Sequence, residues 1–386
     1  MIVIARGRFG PTPTRVLEPL RFRGPITRDQ IAKQSGLSQA TVARTIATLI
    51  DEGLVRERAD LAPAGAVGRP NLPVEVDPTH YAVLGVHVGR KALTVALVDL
   101  SGRPVAQVRL ATPTGSLREV MAPVAEQATG LVKAHPQRTI LSAGVVAPWG
   151  DLALSREDAR AMLARATGLE VATGDHVAAV AAAEYLARGR KQPGCTMYMY
   201  ARDTAGFALA NELPARTEIS RVGRLTHFPS GSDVACHCGA VGCLEATASD
   251  EAVGQRAYDA GLVAKPDIEA AAAAARRGDL RAHQLFLDRA ETLGRTAAVV
   301  RDMVAPDRVV LVGQAFTGYP QGLEAALDAF RETTTLGDIE VTVTRFGAGI
   351  QAAAAGAVAL GPVYADPLGV VRGEASSPAD EDACNL

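Results

Sequence analysis

The sequence predicts a two-part α/β protein: a small, mainly helical module at the N-terminus, then a larger domain in which strands and helices alternate. Three observations carry this. Two short helical patterns meet at a turn containing Gly36, apolar β-rich runs alternate with helical stretches from Tyr81 onward, and three of the five cysteines crowd into Cys236, Cys238 and Cys243. With 386 residues, 48% of them apolar, the chain can bury a large core and should divide into two or three domains. No apolar run approaches the roughly 20 residues that cross a bilayer. The opening MIVIARGRFG carries charges where a signal peptide keeps an apolar stretch, so the expected location is the cytoplasm. There, clustered cysteines point to a metal site ahead of a disulfide framework.

The net charge of −2 conceals an asymmetry. Residues 1–75 hold 11 Lys and Arg against 7 Asp and Glu, a balance of +4 that leaves −6 for the remainder. That is the direction expected of a module that meets nucleic-acid phosphate, although a chance excess on a solvated surface would read the same.

After Pro11 and Pro13, the apolar Val16, Leu17 and Leu20 give a first helix over 14–23, interrupted by Pro19. Thr27 with Gln30 makes a capping-box start for a second helix that closes at Gly36. Ser38 caps a third, in which Val42, Ile46, Leu49 and Ile50 aim one stripe inward. The opposite face carries Ser38, Gln39, Thr41, Arg44 and Thr45. Two helices joined by a tight turn, the second presenting small polar and basic side chains, form a helix-turn-helix that suits a major groove. Gln39 and Thr41 can bond base edges, and Arg44 can reach guanine or phosphate. The alternative is an ordinary three-helix interaction domain. Residues 54–58 and 72–76 read as paired strands around the loop 62–70, which makes a wing. Gly68-Arg69-Pro70 puts the Arg69 guanidinium on extended backbone suited to a minor groove; a solvent loop that contains arginine is the plainer reading.

In the larger part, runs 82–88, 93–100 and 105–110 read as a meander. Helix 117–134, strand 140–146, helix 157–167, strand 169–172 and helix 177–188 follow. Further strands are expected at 195–201, 308–312 and 339–344, with Ala-rich helices over 267–304. The alternation argues a mixed sheet with helices on its faces.

Taken in order, ITRDQIAKQSGLSQATVARTIATLIDEGLV, GRP, LGVHVG, GDHVAAVAAAEYL and THFPSGSDVACHCGAVGCLE resemble the ROK family, named for repressors, open reading frames and kinases. The resemblance runs from about residue 14 to 362 and implies a two-lobed, actin-like, sugar-kinase-like fold behind the winged helix-turn-helix. Its most specific part is the cysteine segment. His227, Cys236, Cys238 and Cys243 form H-x8-C-x-C-x4-C, one imidazole and three thiolates, the donor set of a closed structural zinc site. The resemblance implies the same four ligands and a zinc ion, the site then carrying a formal charge of −1; three free thiols remain the alternative. His237 does not match the family's ligand position.

Sugar-phosphorylating members of the family have glycine-rich phosphate loops and an Asp that takes the sugar proton, because phosphoryl transfer is positioning plus charge stabilisation. Here the first loop reads Gly85-Val86-His87-Val88-Gly89-Arg90, with His87 where those kinases have Asp. The second, Ala201-Arg202-Asp203-Thr204-Ala205-Gly206, keeps one glycine of a run that would cradle phosphate. Asp175 matches the family's catalytic Asp, but Gly174 replaces its usual Asn neighbour, and Arg224 stands where a Glu contacts sugar. Glu245 and His227 match sugar-contacting residues. The expected effector site is therefore Asp175, His176, Arg224, His227 and Glu245, with Arg224 pairing a phosphate; an internal salt bridge at Arg224 and an empty cleft are the alternative. Trp149 either caps that cleft or packs.

The chain thus reads as a regulator and not an enzyme: residues 1–78 a winged helix-turn-helix, 79–372 a sugar-kinase-like effector-binding and oligomerisation domain, 373–386 a disordered acidic tail. The expected partners are a palindromic double-stranded operator, a sugar or sugar-phosphate effector, and a second copy in a homodimer or homotetramer, with no membrane. A repressor of carbohydrate or amino-sugar genes is the leading role, with activation open. A constitutive DNA-binding protein and, least favoured, an ATP-dependent sugar kinase are the alternatives.

Overall fold

The computed structural model describes residues 1–5, 10–61, 72–189, 193–213, 216–347 and 349–374. The wing tip with Arg69 and most of the acidic tail lie outside the described residues. The chain divides into two compact bodies, the first holding residues 2–192, 213–218 and 349–386, the second 193–212 and 219–348.

The first body opens with β1 (Ile2–Ala5), α1 (Thr12–Arg23), α2 (Arg28–Ser35) and α3 (Gln39–Asp51), then the antiparallel pair β2 (Val55–Glu57) and β3 (Val74–Val76). Local chemistry sets the helix ends. The capping box between Thr27 and Gln30 is formed in both directions, and Gly36 ends α2 at φ 67°, a left-handed conformation that glycine adopts without strain. The Ser38 side chain accepts the Thr41 N–H at the start of α3.

The chain continues through β4 (Tyr81–Val88), β5 (Ala92–Asp99), β6 (Pro104–Ala111), α4 (Leu117–Ala134), β7 (Thr139–Ala147), α5 (Trp149–Leu152), α6 (Arg156–Thr167), β8 (Val171–Asp175) and α7 (His176–Arg188). The strands lie in the order β6-β5-β4-β7-β8, the first three an antiparallel meander and the last two parallel to β4. The second body holds β9 (Gly194–Ala201), β10 (Ala205–Glu212), β11 (Arg216–Arg224), α8 (Leu244–Ala248), α9 (Asp250–Asp259), α10 (Ile268–Arg276), α11 (Leu280–Val304), β12 (Arg308–Val312), α12 (Gln314–Thr317), α13 (Pro320–Thr333) and β13 (Glu340–Val343). Its strands repeat the scheme as β11-β10-β9-β12-β13, with β12 and β13 parallel to β9. The final helices, α14 (Ile350–Ala365) and α15 (Pro367–Arg372), belong to the first body. Two bodies of one strand order are the two-lobed architecture the sequence leads one to expect.

Helix α14 rests directly on β4 and β7. A Cβ added at Gly85 would stand 2.9 Å from the Gly356 nitrogen, and one at Gly144 2.7 Å from the Ala359 nitrogen. Such separations leave no room for a side chain. The run 85–90 is therefore not one loop: it is strand through Val88, its glycine required by helix packing, and only the turn at Gly89, whose N–H bonds Ala92 O at 3.0 Å, lies beyond.

The winged helix-turn-helix shares its core with this lobe. Val16, Ile31, Ile46 and Leu49 belong to the same buried cluster as Val83 and Val98 of the sheet and Leu360 and Val363 of α14. Polar contacts fasten the seam. Thr14 Oγ1 donates to Ala365 O at 2.9 Å, Tyr81 donates to Glu52 O at 2.9 Å, and Arg372 pairs with Glu52 at 2.7 Å. The Arg21 guanidinium lies 3.8 Å over the Tyr364 ring, a cation–π contact. Burial pushes the Tyr364 phenol up to about 12, so it stays a neutral donor to Leu100 O at 2.6 Å. Ile46→Ala is expected to cost about 2–5 kcal/mol. Because the core is shared, denaturant unfolding followed by the fluorescence of Trp149, buried in the lobe, should shift by the same amount; an unmoved transition would show that the module unfolds alone.

Candidate DNA-reading face and metal centre

On α3 the fully buried Val42, Ile46 and Leu49 fix which side faces out. Ser38, Gln39 and Arg44 are exposed there, with Thr41 and Thr45 half-buried between them. Ser38 and Thr41 hydroxyls lie 2.8 Å apart, Gln39 Nε2 donates to Asp29 at 3.1 Å, and Thr45 Oγ1 bonds back to Thr41 O at 2.9 Å. Arg44 has no ion-pair partner among the described residues.

Charge counting alone misjudges this module. Arg28 pairs with Glu57 at 2.6 Å, Arg56 with Glu75 at 2.7 Å, and Arg58 with both Asp60 at 2.6 Å and Glu75 at 2.9 Å. Arg15 bonds Ser35 O at the end of α2 at 2.9 Å. These guanidiniums hold the wing's base and the helix pair together, and because each ion pair cancels itself, the surplus of +4 rests on the other basic residues of the module.

The metal centre sits between β11 and α8. A tight hairpin, bridged at Ala235 and Val241 and closed by the Cys236 N–H on Ala240 O at 2.8 Å, presents two cysteines. The Leu244 and Glu245 N–H groups bond Phe228 O and Thr226 O at 2.9 Å, which brings Cys243 and His227 alongside. Donor atoms of His227, Cys236, Cys238 and Cys243 all lie within 4.8 Å of one another. Cys236 Sγ is 3.7 Å from His227 Nδ1, and Cys238 Sγ is 3.7 Å from Cys243 Sγ. Tetrahedral zinc with its usual bond lengths separates such ligands by about 3.6 to 3.8 Å. The residues therefore fit the ion. Burial pushes the Cys243 thiol up to about 12, while a hydrogen bond from the Ala240 backbone holds Cys238 below its ordinary value. A divalent cation supplies the charge that lets all three thiols ionise.

The expected effector residues fall in two groups. In the first body Asp175 ends β8 and caps α7, its Oδ1 accepting the Val177 N–H at 3.0 Å. His176 follows, buried, with Nδ1 2.8 Å from His87 Nε2. Gly174 carries the carbonyl that accepts the Trp149 indole N–H at 2.8 Å, so Trp149 packs in the lobe. In the second body Arg224 is exposed at the end of β11, and Glu245 lies half-buried on α8. Donor atoms of Glu245, His227 and His237 lie within 4.8 Å of one another.

Residues 83–362 match the ROK family, and residues 11–61 match the MarR family. The chain belongs to the ROK family. It is 36% identical over 382 residues to the protein named transcriptional regulator Rv0485 of Mycobacterium tuberculosis, covering 92% of this chain and 86% of that one. It is 23% identical to the DNA-binding transcriptional dual regulator NagC of Escherichia coli, over 75% of this chain and 77% of that one. Among solved structures, a ROK family transcriptional regulator described as a homologue of the E. coli Mlc protein aligns with TM-score 0.72 at 22% identity, covering 95% of this chain and 99% of that one. A ROK hexokinase from Thermus thermophilus aligns with TM-score 0.57 at 25% identity, over 72% of this chain and 98% of that one.

This ROK chain ties down the turn between β9 and β10. The Arg202 guanidinium turns to Asp250 at 3.4 Å, and the Asp250 N–H bonds Arg202 O at 3.2 Å. Asp250 also accepts from Arg289 at 2.5 Å, whose Nε holds Ala248 O at 2.7 Å. Arg289 and Asp250 are 3% and 5% exposed, so the network is internal. Sequence reading missed it because Arg289 lies two helices beyond Asp250, with no spacing rule to connect them. Arg289→Ala would leave a buried carboxylate short of its main partner and should destabilise the protein by about 3–5 kcal/mol; a loss below 1 kcal/mol in urea unfolding would show the network to be dispensable.

Proposed function

We propose that this ROK chain is a transcription regulator that reads a palindromic operator through α3 as a homodimer or homotetramer, represses carbohydrate or amino-sugar genes, and responds to a sugar or sugar-phosphate. The carrying observation is the outward face of α3, where Ser38, Gln39, Thr41, Arg44 and Thr45 stand on a capped helix backed by buried apolar side chains. Small polar groups and one unpaired guanidinium suit base edges and phosphates. Residues 1–78 read DNA, with Arg69 entering a minor groove, and 79–372 receive the effector and the second copy. In the binding role Asp175, His176, His227 and Glu245 meet sugar hydroxyls, and Arg224 meets a phosphate. His227, Cys236, Cys238 and Cys243 hold a structural zinc ion, which clamps the 227–243 segment by charge. Among the described residues, no helix is long and apolar enough to cross a membrane.

Phosphoryl transfer from ATP is the least favoured role for this chain. Arg202 and Asp250 occupy each other where a kinase keeps glycine backbone for phosphate, and His87 cannot do the work of the Asp found there in the kinases.

Gel-shift titration on operators selected from a random palindromic library should give one specific site. Arg44→Ala should weaken binding by about 1–3 kcal/mol if it contacts guanine, with relaxed preference at one position. A wild-type protein that selects no site overturns the DNA reading. Thermal melting against sugars, amino sugars and their 6-phosphates tests the effector: a ligand at 100 times its Kd adds about 2.7 kcal/mol. Stabilisation by a phosphorylated sugar that Arg224→Glu abolishes is the expected outcome, and a flat response across the panel favours a constitutive regulator.

A further inference from the structure

We propose that the metal centre has a second imidazole in reserve: His237 can replace His227 as the nitrogen ligand, the three thiolates then holding the ion with either ring. This rests on the zinc reading above. Cys236 Sγ lies 3.7 Å from His227 Nδ1 and also 3.7 Å from His237 Nδ1. Both nitrogens thus stand at about the separation that two ligands of one tetrahedral zinc ion keep, near 3.6 Å. The compact four-donor group contains His227 and leaves His237 outside, so the ring now furthest forward is His227, and His237 flanks it on the Cys236 side.

The surroundings allow the exchange. His237 sits in the hairpin between two ligands, and the bonds from Cys236 N–H to Ala240 O and from Gly239 N–H to Cys236 O fix the backbone beneath it. Both imidazoles are exposed, so neither is locked by core packing, and their centroids are 5.7 Å apart. Rotation about the His237 side-chain bonds is the motion required. The exchange swaps one neutral imidazole for another: one Zn–N bond breaks as one forms, no electron or proton is transferred, and the formal charge stays at −1. Glu245 lies within 4.8 Å of donor atoms of both rings, so a small side-chain movement would let it accept an N–H from whichever imidazole is off the metal. The functional consequence is that His227 can turn to a bound ligand without opening the metal site.

The test uses the full-length protein as the wild type, His227→Ala, His237→Ala and the double variant. Zinc per chain is measured after thiol release, and the visible spectrum is recorded after cobalt(II) substitution. We expect wild type, His227→Ala and His237→Ala each to retain one zinc per chain and the cobalt bands of three sulfurs and one nitrogen. The double variant should lose the nitrogen signature and yield its metal to a chelator about tenfold more readily or more. If His227→Ala loses zinc as the double variant does, or shows three sulfurs and one oxygen, the proposal is overturned while the zinc reading stands. Wild-type protein without zinc overturns both. Should the double variant fail to fold, the ligand-field bands of His227→Ala alone decide between nitrogen and oxygen in the fourth position.

Discussion

The contact on which the first body depends is the backbone approach of α14 to β4 and β7. It exists because Gly85, Gly144 and Gly356 remove the side chains that would otherwise keep a helix and a sheet about 10 Å apart. Seated this deeply, α14 brings Leu360, Val363 and Tyr364 into the buried cluster that also holds Val16, Leu17 and Leu20 of α1. The helix that completes the sugar-kinase-like lobe is thus the helix against which the DNA-reading module folds. A side chain at any of the three glycines would lift α14 and disturb both.

Electrostatics sorts the arginines of the chain by role. Among the described residues of the module, Arg15, Arg28, Arg56 and Arg58 are tied to carboxylates or a carbonyl and serve the fold, while Arg44 stands on the exposed face of α3. In the second body the same chemistry runs inward: Arg202 and Arg289 share Asp250 in an internal network.

Much of this was legible in the sequence where the signal is local. The capping box at Thr27 and Gln30, the Ser38 cap and the stripe of Val42, Ile46 and Leu49 depend on neighbours within a few residues, and the module follows from them. The clustering of His227, Cys236, Cys238 and Cys243 could be expected from residue type, spacing and the family resemblance, and the structure brings their donor atoms within 4.8 Å of one another. What escaped was non-local. Strands β10 and β11 carry no clear alternation in the sequence, and only the turn at 201–206 reads as a loop; the pairing of β10 with β9 and of β11 with β10 makes the second meander. Helix α14 is apolar nearly all round, so no periodicity marks it. The partnership of Asp250 with Arg289, and of Trp149 with Gly174, is created by packing alone.

The shared core also bears on how such chains can be recombined. The winged helix looks like a cassette that could be lifted out. Here its floor is encoded some 350 residues downstream, so a graft cut after the wing would arrive with an apolar underside and nothing to stand on. A working chimera must carry β4, β5, the last turns of α14 and the Arg372 latch together with the module, two separate stretches of gene for one piece of protein.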